Sequence, residues 1–355
     1  LFTAHDTLRR GNPGFVRGRS PRRLPPAGRG FMSSLLSVRD LRVRYPLARG
    51  FMSRAGDGPS YVDVVHGVSL DIERGQTMAI VGESGSGKTT LAMALSGLAP
   101  VLNGEVRYNG ITLQQDRKGR LAPDRKKVSL MFQDPVGSLS PRMTVGRSLA
   151  EPFLIHRAAR KNPQGQALRL LSLVGLDEAF ADRYPHQLSG GQARRVGVAR
   201  AVALSPDLLI ADEPTAGLDV SIQGEILNLL ARLQQEMGLG IMLITHNLNV
   251  VRHMADQMAV MYLGRFVESG DCQQIFRRPR HPYTAALLSA NPSTDPDAKQ
   301  ERIELSGEVP SLLQRPAGCE FHGRCPRARE RCLKTPPERT TEMDGRSYNC
   351  FFPME

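Results

Sequence analysis

The chain has 355 residues, enough for one large domain or two ordinary ones, and a hydrophobic content of 40% supports a sizeable core. Its formal net charge is +12, yet it contains no run of about 18 apolar residues, which excludes a membrane-spanning helix. The first thirty residues also lack the apolar stretch of a secretory signal, so the chain is expected to stay inside the cell, where thiols are reduced.

The charge is concentrated at the start. Residues 1–31 carry seven arginines (Arg9, Arg10, Arg17, Arg19, Arg22, Arg23, Arg29) against the single acid Asp6. With many Gly and Pro and no sustained periodicity, the segment reads as a disordered basic arm: a plain solvated extension or a contact for nucleic acid or anionic lipid. "LLSVRDLRVRY" (35–45) alternates and predicts a strand, as does "YVDVVHGVSLDI" (61–72), with a Gly-, Arg- and Pro-rich loop between them. "QTMAIV" (76–81) is a buried strand followed by glycine. "KTTLAMALSGL" (88–98) predicts a helix, and "GEVRYNGITL" (104–113) a hairpin turning at Asn109-Gly110. "KVSLMFQD" (127–134) is a strand, and a helical stretch runs roughly from 144 to 181. "LLIADE" (208–213) and "IMLITH" (241–246) are short apolar strands. The helix between them carries Ile222, Ile226, Leu229, Leu230, Leu233 and Met237 on one face. Strand alternating with helix predicts a parallel α/β sheet. After about Ser289 the pattern gives way to a polar, Pro-rich, Cys-bearing tail.

"GESGSGKT" (82–89) lies between a predicted strand and a predicted helix, the context a phosphate loop requires. Its glycines let backbone N–H groups curl around an anion, and the helix points its positive end at the same place. Lys88 is placed to reach the β- and γ-phosphates, and Thr89 to hold Mg²⁺. "LLIADE" delivers Asp212 and Glu213 to the carboxyl edge of the sheet, where ligands bind in such folds. Asp212 suits Mg²⁺, and Glu213 suits polarising an attacking water. "LSGGQ" (188–192) opens a further helix with a second anion-binding nest. One nucleotide does not need two nests from one chain, but it does if two chains face each other.

On these motifs the chain closely resembles an ATP-binding cassette (ABC) ATPase over about residues 35–270. The resemblance implies an α/β phosphate-loop fold with a mixed, mostly parallel core sheet, an N-terminal antiparallel β subdomain and a helical subdomain at about 135–186. The ATPase domain then spans 32–270, followed by a small Cys-rich C-terminal extension, 271–355. The ATP site implied comprises Gly82, Glu83, Ser84, Gly85, Ser86, Gly87, Lys88, Thr89 and Thr90, with Tyr45 stacking on adenine. Ser189, Gly190, Gly191, Gln192 and Asp219 would act in trans, on nucleotide held by a paired cassette. Mg²⁺ falls to Thr89, Gln133 and Asp212, and catalysis to Glu213, His246 and Gln133. Ala216-Gly217 stands where Ser-Ala is common, so the tuning of the Asp219 loop departs from the family pattern.

"RRPRHPYTAALLSANP" (277–292), "FQDPVGSLSPRMTVG" (132–146) and "VVRHMADQMAVMYLGRFVESG" (250–270) resemble the oligopeptide and dipeptide importers within that family. The resemblance implies an ATPase peripheral to the cytoplasmic face of the inner membrane. It would pair with a second, different cassette, two transmembrane permease subunits and an extracytoplasmic solute-binding protein. Nickel, glutathione and some sugar importers share the subfamily. A soluble cassette acting on nucleic acid is the other class, but a single phosphate loop, a single LSGGQ and the lack of a heptad run between 98 and 188 speak against it. No nucleic-acid partner is therefore expected.

Four of the five cysteines fall in the last 37 residues, spaced C-x5-C-x6-C-x17-C. Zinc and iron–sulfur both accept four thiolates, and a reducing compartment speaks against disulfides. The likeness of the tail to peptide-importer ATPases, Cys325-Pro326 included, implies a [4Fe–4S] cluster on Cys319, Cys325, Cys332 and Cys350, with Zn²⁺ as the alternative. Cys272 is expected to be structural.

Overall fold

The computed structural model describes residues 34–47, 61–113, 123–158, 162–291 and 302–355. The basic arm at 1–31 and the loop after the first strand (48–60) lie outside the described residues.

β1 (Leu36–Pro46) buries Leu36 and Val38, then Leu41 and Val43. The inward set changes from even to odd positions because Asp40 adopts a left-handed φ of 43° and the register shifts between Val38 and Leu41. That extra residue is a bulge, and it keeps both halves of the strand facing the core. β1 lies between β2 (Tyr61–Ile72) and β4 (Asn103–Tyr108), and β5 (Ile111–Thr112) completes a four-stranded antiparallel sheet in the order β2-β1-β4-β5. The β4–β5 turn has Asn109 at φ 45° and Gly110 at φ 78°. Positive φ at both central residues is the turn whose twist suits a hairpin.

The second sheet has eight strands in the order β11-β12-β10-β9-β3-β8-β7-β6. Five of them, β9 (Gln257–Tyr262), β3 (Thr77–Val81), β8 (Gly240–Ile244), β7 (Leu208–Asp212) and β6 (Val128–Met131), run parallel. β10 (Arg265–Asp271), β12 (Ser347–Tyr348) and β11 (Thr340–Thr341) add antiparallel strands at one side. Every residue of β3, β7 and β8 is buried, as expected of parallel strands covered on both faces. Ile241 and Leu243 join one apolar cluster, while Met242 and Ile244 join another on the opposite face.

On the first face lie α2 (Val145–Ile155), α3 (Pro163–Leu173), α4 (Gly190–Val202) and α5 (Val220–Met237). α5 buries Ile226, Leu229, Leu230 and Leu233, with Ile222 and Met237 partly buried on the same cluster, as its periodicity predicts. The helical stretch predicted over 144–181 is instead two helices and a 3-10 turn at Glu178–Asp182. Arg157 leaves helical geometry at φ 54°. Asn162 then caps a new helix whose first residue is Pro163, its side-chain oxygen accepting from the Gly165 N–H at 2.8 Å.

On the second face the antiparallel sheet and α1 (Lys88–Leu95) share a core. α6 (Leu248–Met254), α7 (Cys272–Arg277) and α8 (Pro282–Ser289) pack on β3 and β9, with Cys272 wholly buried among them. Among the described residues of the tail after α8, the regular elements are α9 (Glu330–Lys334), the β11–β12 hairpin and a short turn at His322–Arg324. It is anchored by packing. Phe321 sits edge-on to Tyr262 of β9 at 5.4 Å between ring centres and 5.3 Å from Tyr283 of α8, and the two tyrosines are 4.8 Å apart. Arg315 donates to the carbonyls of Leu263 and Asp63, each at 2.7 Å.

Candidate functional site

A cleft of about 670 Å³ opens at the carboxyl ends of β3, β7 and β8. The loop leaving β3 is forced into its shape by two glycines. At Gly82 (φ 154°) a Cβ would lie 2.2 Å from the Met261 carbonyl oxygen, and at Gly87 (φ 101°) 2.8 Å from that of Val64. Only glycine allows so close an approach. Gly87 is the N-cap of α1 and supplies no side-chain cap, so the first N–H groups of the helix are left for an anion. Lys88 is buried, and its Nζ donates to the carbonyls of Gly82 and Glu83, both at 2.8 Å, and to Ser86 Oγ at 3.3 Å. Burial pulls its pKa below the usual lysine range, opposed by the nearby Glu213, Asp212 and Glu83.

Ser84, Gly85, Gly87, Lys88, Thr89 and Thr90 line the cleft together with Gln133, Asp212, Glu213 and His246. Asp212 Oδ1 is buried and has no hydrogen-bond partner. Burial pushes that carboxyl above the usual carboxylate range, and the Glu213 charge adds to the effect, while the Thr89 hydroxyl and the Lys88 ammonium oppose it. A buried carboxylate oxygen without a donor, beside a threonine hydroxyl, is a donor set that suits a hard divalent cation. Glu213 holds a left-handed φ of 48°, uncommon for a side chain of this size. Its Oε2 accepts from Thr245 Oγ1 at 3.1 Å. Its Oε1 accepts from the His246 backbone N–H at 3.0 Å and lies 2.7 Å from His246 Nδ1. The carboxylate is thus fixed by the end of β8, and the His246 ring stays largely exposed to the cleft.

Other predicted residues lie elsewhere. Tyr45 sits half-buried at the end of β1, paired with Val62, outside the cleft lining. Ser189 caps α4 and forms a reciprocal pair with Gln192: Ser189 Oγ accepts the Gln192 N–H at 3.3 Å, and Gln192 Oε1 accepts the Ser189 N–H at 3.0 Å. Ser189 and Gly190 are exposed. A Cβ on Gly191 would stand 2.8 Å from Ile222 Cγ2, on the first turn of α5 that Asp219 caps by accepting from the Ile222 N–H at 3.0 Å. The LSGGQ turn and Asp219 are therefore neighbours through one isoleucine.

Arg194 escapes sequence reasoning. It is buried on α4, and its guanidinium donates to the Gln133 carbonyl at 2.6 Å and the Ala216 carbonyl at 2.9 Å. It ties the segment after β6 to the one after Glu213, and "QARR" gives no hint of which arginine turns inward. Arg194→Ala should lower stability by about 2 kcal/mol by orphaning two carbonyls, read as a fall in thermal midpoint. An unchanged midpoint would reject the tie.

The expected [4Fe–4S] cluster requires correction, as does its zinc alternative. Cys319, Cys325, Cys332 and Cys350 line a common cavity, but its volume is about 10 Å³, closed by Phe321, Phe351 and Phe352. That is room for about one water. Burial pushes the thiols of Cys319 and Cys350 up to about 11 and raises Cys325 as well. Among the described residues no group of three or more His, Cys, Asp or Glu is arranged to hold a metal ion. The four cysteines stand as free thiols around this small hollow, with the Cys319 N–H donating to the Cys332 carbonyl at 2.7 Å.

A second hollow, about 380 Å³, lies between β6, α2 and α4. Leu98 and Phe132 line it at 61% and 43% exposure, and Leu154 and Ile155 stand exposed on the last turn of α2, next to its lining residues Pro152 and His156. Among the described residues no helix is long and apolar enough to cross a membrane.

A family model described as "ABC transporter" matches residues 65–216, and one described as "Oligopeptide/dipeptide transporter, C-terminal region" matches residues 267–332. The chain is 43% identical over 318 residues to the dipeptide transport ATP-binding protein DppF of Haemophilus influenzae, covering 89% of this chain and 96% of that protein. It is 45% identical to DppF of Escherichia coli, covering 89% of this chain and 94% of that one. Among solved structures, CbiO1 of Clostridium perfringens, described as part of an ABC transporter complex, is similar with a TM-score of 0.57, 29% identity and coverage of 69% of this chain and 91% of that one. A dimeric ATP-binding cassette in a post-hydrolysis state, bound to ADP and phosphate, is similar with a TM-score of 0.56, 27% identity and coverage of 67% and 98%.

Proposed function

The chain belongs to the ABC transporter ATP-binding family, in its oligopeptide/dipeptide branch, and from that membership we propose that it is the subunit whose ATP hydrolysis drives a di- or oligopeptide importer. The observation that carries the reading is one cleft that brings a phosphate loop, a buried aspartate with one oxygen free of hydrogen bonds and a fixed glutamate to the same sheet edge.

In this reading the ATP phosphates settle on the N–H groups at the start of α1, and Lys88 exchanges the loop carbonyls for phosphate oxygens. Gly82 to Thr90 form the cradle, and Tyr45 would have to approach adenine from the rim. Thr89, Asp212 and Gln133 would hold Mg²⁺, which when bound neutralises charge on the β- and γ-phosphate oxygens. Glu213 accepts the proton of the attacking water, and its bonds to Thr245 and the His246 backbone N–H aim it. The exposed His246 ring is free to meet the γ-phosphate. Ser189, Gly190 and Asp219 are exposed, and with Gly191 and Gln192 they would close over ATP held by a second cassette, a reading supported by the dimeric form of a similar solved structure.

The wider assembly is a second, different cassette, two permease subunits and an extracytoplasmic binding protein, with this chain on the cytoplasmic face of the inner membrane. The hollow beside α2 suits the permease because its exposed rim is apolar. Phe132→Asp should cut the stimulation of hydrolysis by the permease about tenfold while leaving ATP affinity alone. Equal stimulation in the variant would move the docking surface elsewhere. The function itself is tested with the complex in vesicles: di- and tripeptides presented by the binding protein should accelerate ATP hydrolysis and be taken up. Acceleration by nickel or glutathione, and not by peptides, would overturn the substrate class.

A further inference from the structure

Glu83 is the first residue of the phosphate loop after Gly82, and it is held on three sides. Its carbonyl accepts from Lys88 Nζ at 2.8 Å. Its backbone N–H donates to Tyr283 Oη at 3.0 Å. Its carboxylate meets the Arg324 guanidinium in a two-point pair, at 2.7 and 3.0 Å. Two of the three holds come from the C-terminal extension, 200 and 241 residues along the chain.

Neither partner is a loose surface group. Tyr283 is completely buried in the aromatic trio with Tyr262 and Phe321, and the Arg324 side chain is 10% exposed. The helix that carries Tyr283 is itself pinned. The buried Glu268 carboxylate accepts from the backbone N–H groups of Arg280 and His281, each at 2.8 Å, at the start of α8. Arg324 lies on the turn His322–Arg324 that follows Phe321, so the ring that packs against Tyr283 also anchors the turn, and the guanidinium lies 6.0 Å from the centre of the Tyr262 ring. When ATP draws Lys88 onto its phosphates, the carbonyl hold on Glu83 is released. The hydroxyl of Tyr283 and the fork of Arg324 remain to keep the loop in shape.

We propose that Tyr283 and Arg324 are positioning residues that hold the phosphate loop open for nucleotide through Glu83, so that the C-terminal extension sets the ATP affinity of its own cassette. The proposal rests on the reading that this loop binds ATP. A preorganised loop contributes equally to ground state and transition state, so the effect falls on KM and not on kcat. A bidentate arginine is not replaced by lysine, which offers a single point of charge.

The test uses the full chain for nucleotide binding and the reconstituted transporter for kinetics. Tyr283→Phe removes one hydroxyl from a packed ring and should weaken ATP binding about fivefold. Arg324→Lys should weaken it about five- to tenfold. Both should raise KM for ATP by the same factors with kcat unchanged. Glu83→Gln combined with Arg324→Lys should be no weaker than the worse single variant, since both break one interaction. Unchanged KM in Tyr283→Phe and Arg324→Lys, or a fall in kcat at constant KM, overturns the clamp. So does full additivity of the Glu83 and Arg324 changes. If Arg324→Lys does not fold, Tyr283→Phe decides alone. Failure of the wild-type chain to bind ATP would overturn the underlying reading, whereas wild-type binding with unaffected variants overturns the clamp only.

Discussion

Glu213→Gln should bind ATP within about twofold of the wild-type affinity and lose about a thousandfold in turnover. The amide keeps the volume of the carboxylate and can still accept from the His246 backbone N–H that now meets Oε1. It cannot take a proton from water. The loss therefore falls on the chemical step and leaves ground-state binding in place. The left-handed backbone at this position belongs to Glu213 itself, and glutamine is subject to the same constraint, so the substitution adds no new strain. Single-turnover hydrolysis and equilibrium nucleotide binding on one preparation separate the two effects. Wild-type turnover in the variant would remove Glu213 from the role of base, and His246 would be the next residue to replace.

Lys88→Ala should weaken ATP binding about a hundredfold, because a buried ammonium aimed at phosphate is the strongest charge-assisted donor in the cleft. Alanine is the best helix former, so α1 should persist. What is lost is the one lysine or arginine among the described cleft-lining residues, together with the crosslink from Nζ to Gly82, Glu83 and Ser86. The loop would lose both its pull on the phosphates and part of its internal bracing. Isothermal titration with ATP reads the first effect, and the thermal midpoint without nucleotide reads the second. Affinity within threefold of wild type would mean that the loop N–H groups carry the phosphates unaided.

The cleft is legible in the sequence wherever chemistry is packed into consecutive residues. The phosphate loop, Asp212-Glu213 and His246 each sit at the end of a short apolar strand, and parallel pairing of β3, β7 and β8 brings those ends to one edge. The alternating strands and the α5 stripe are legible for the same reason, since a period of two or of 3.6 is a local signal. What is not legible acts across long separations. Arg194 reaches 61 residues to Gln133, and Arg324 reaches 241 residues to Glu83. Nothing in either neighbourhood announces the partner. The cysteines mislead in the opposite way: their spacing is visible, but the volume they enclose depends on where Phe321, Phe351 and Phe352 pack. The break between α2 and α3 is a milder case: Arg157 leaves helical geometry and Asn162 caps a new helix within what reads as one helical stretch.

The short β11–β12 hairpin bears on solubility. A parallel core sheet ends in rows of unpaired N–H and C=O groups, and a long bare border invites pairing with another copy. Here β10 meets β12 through only Glu268–Tyr348 and Ser269–Ser347, and β12 meets β11 through two further pairs. The outermost strand, Thr340–Thr341, is two exposed threonines long, too brief and too polar to template another strand. The C-terminal residues thus act as a selvedge along this border of the sheet, the one opposite β6, and leave no long bare strand there for another copy to join.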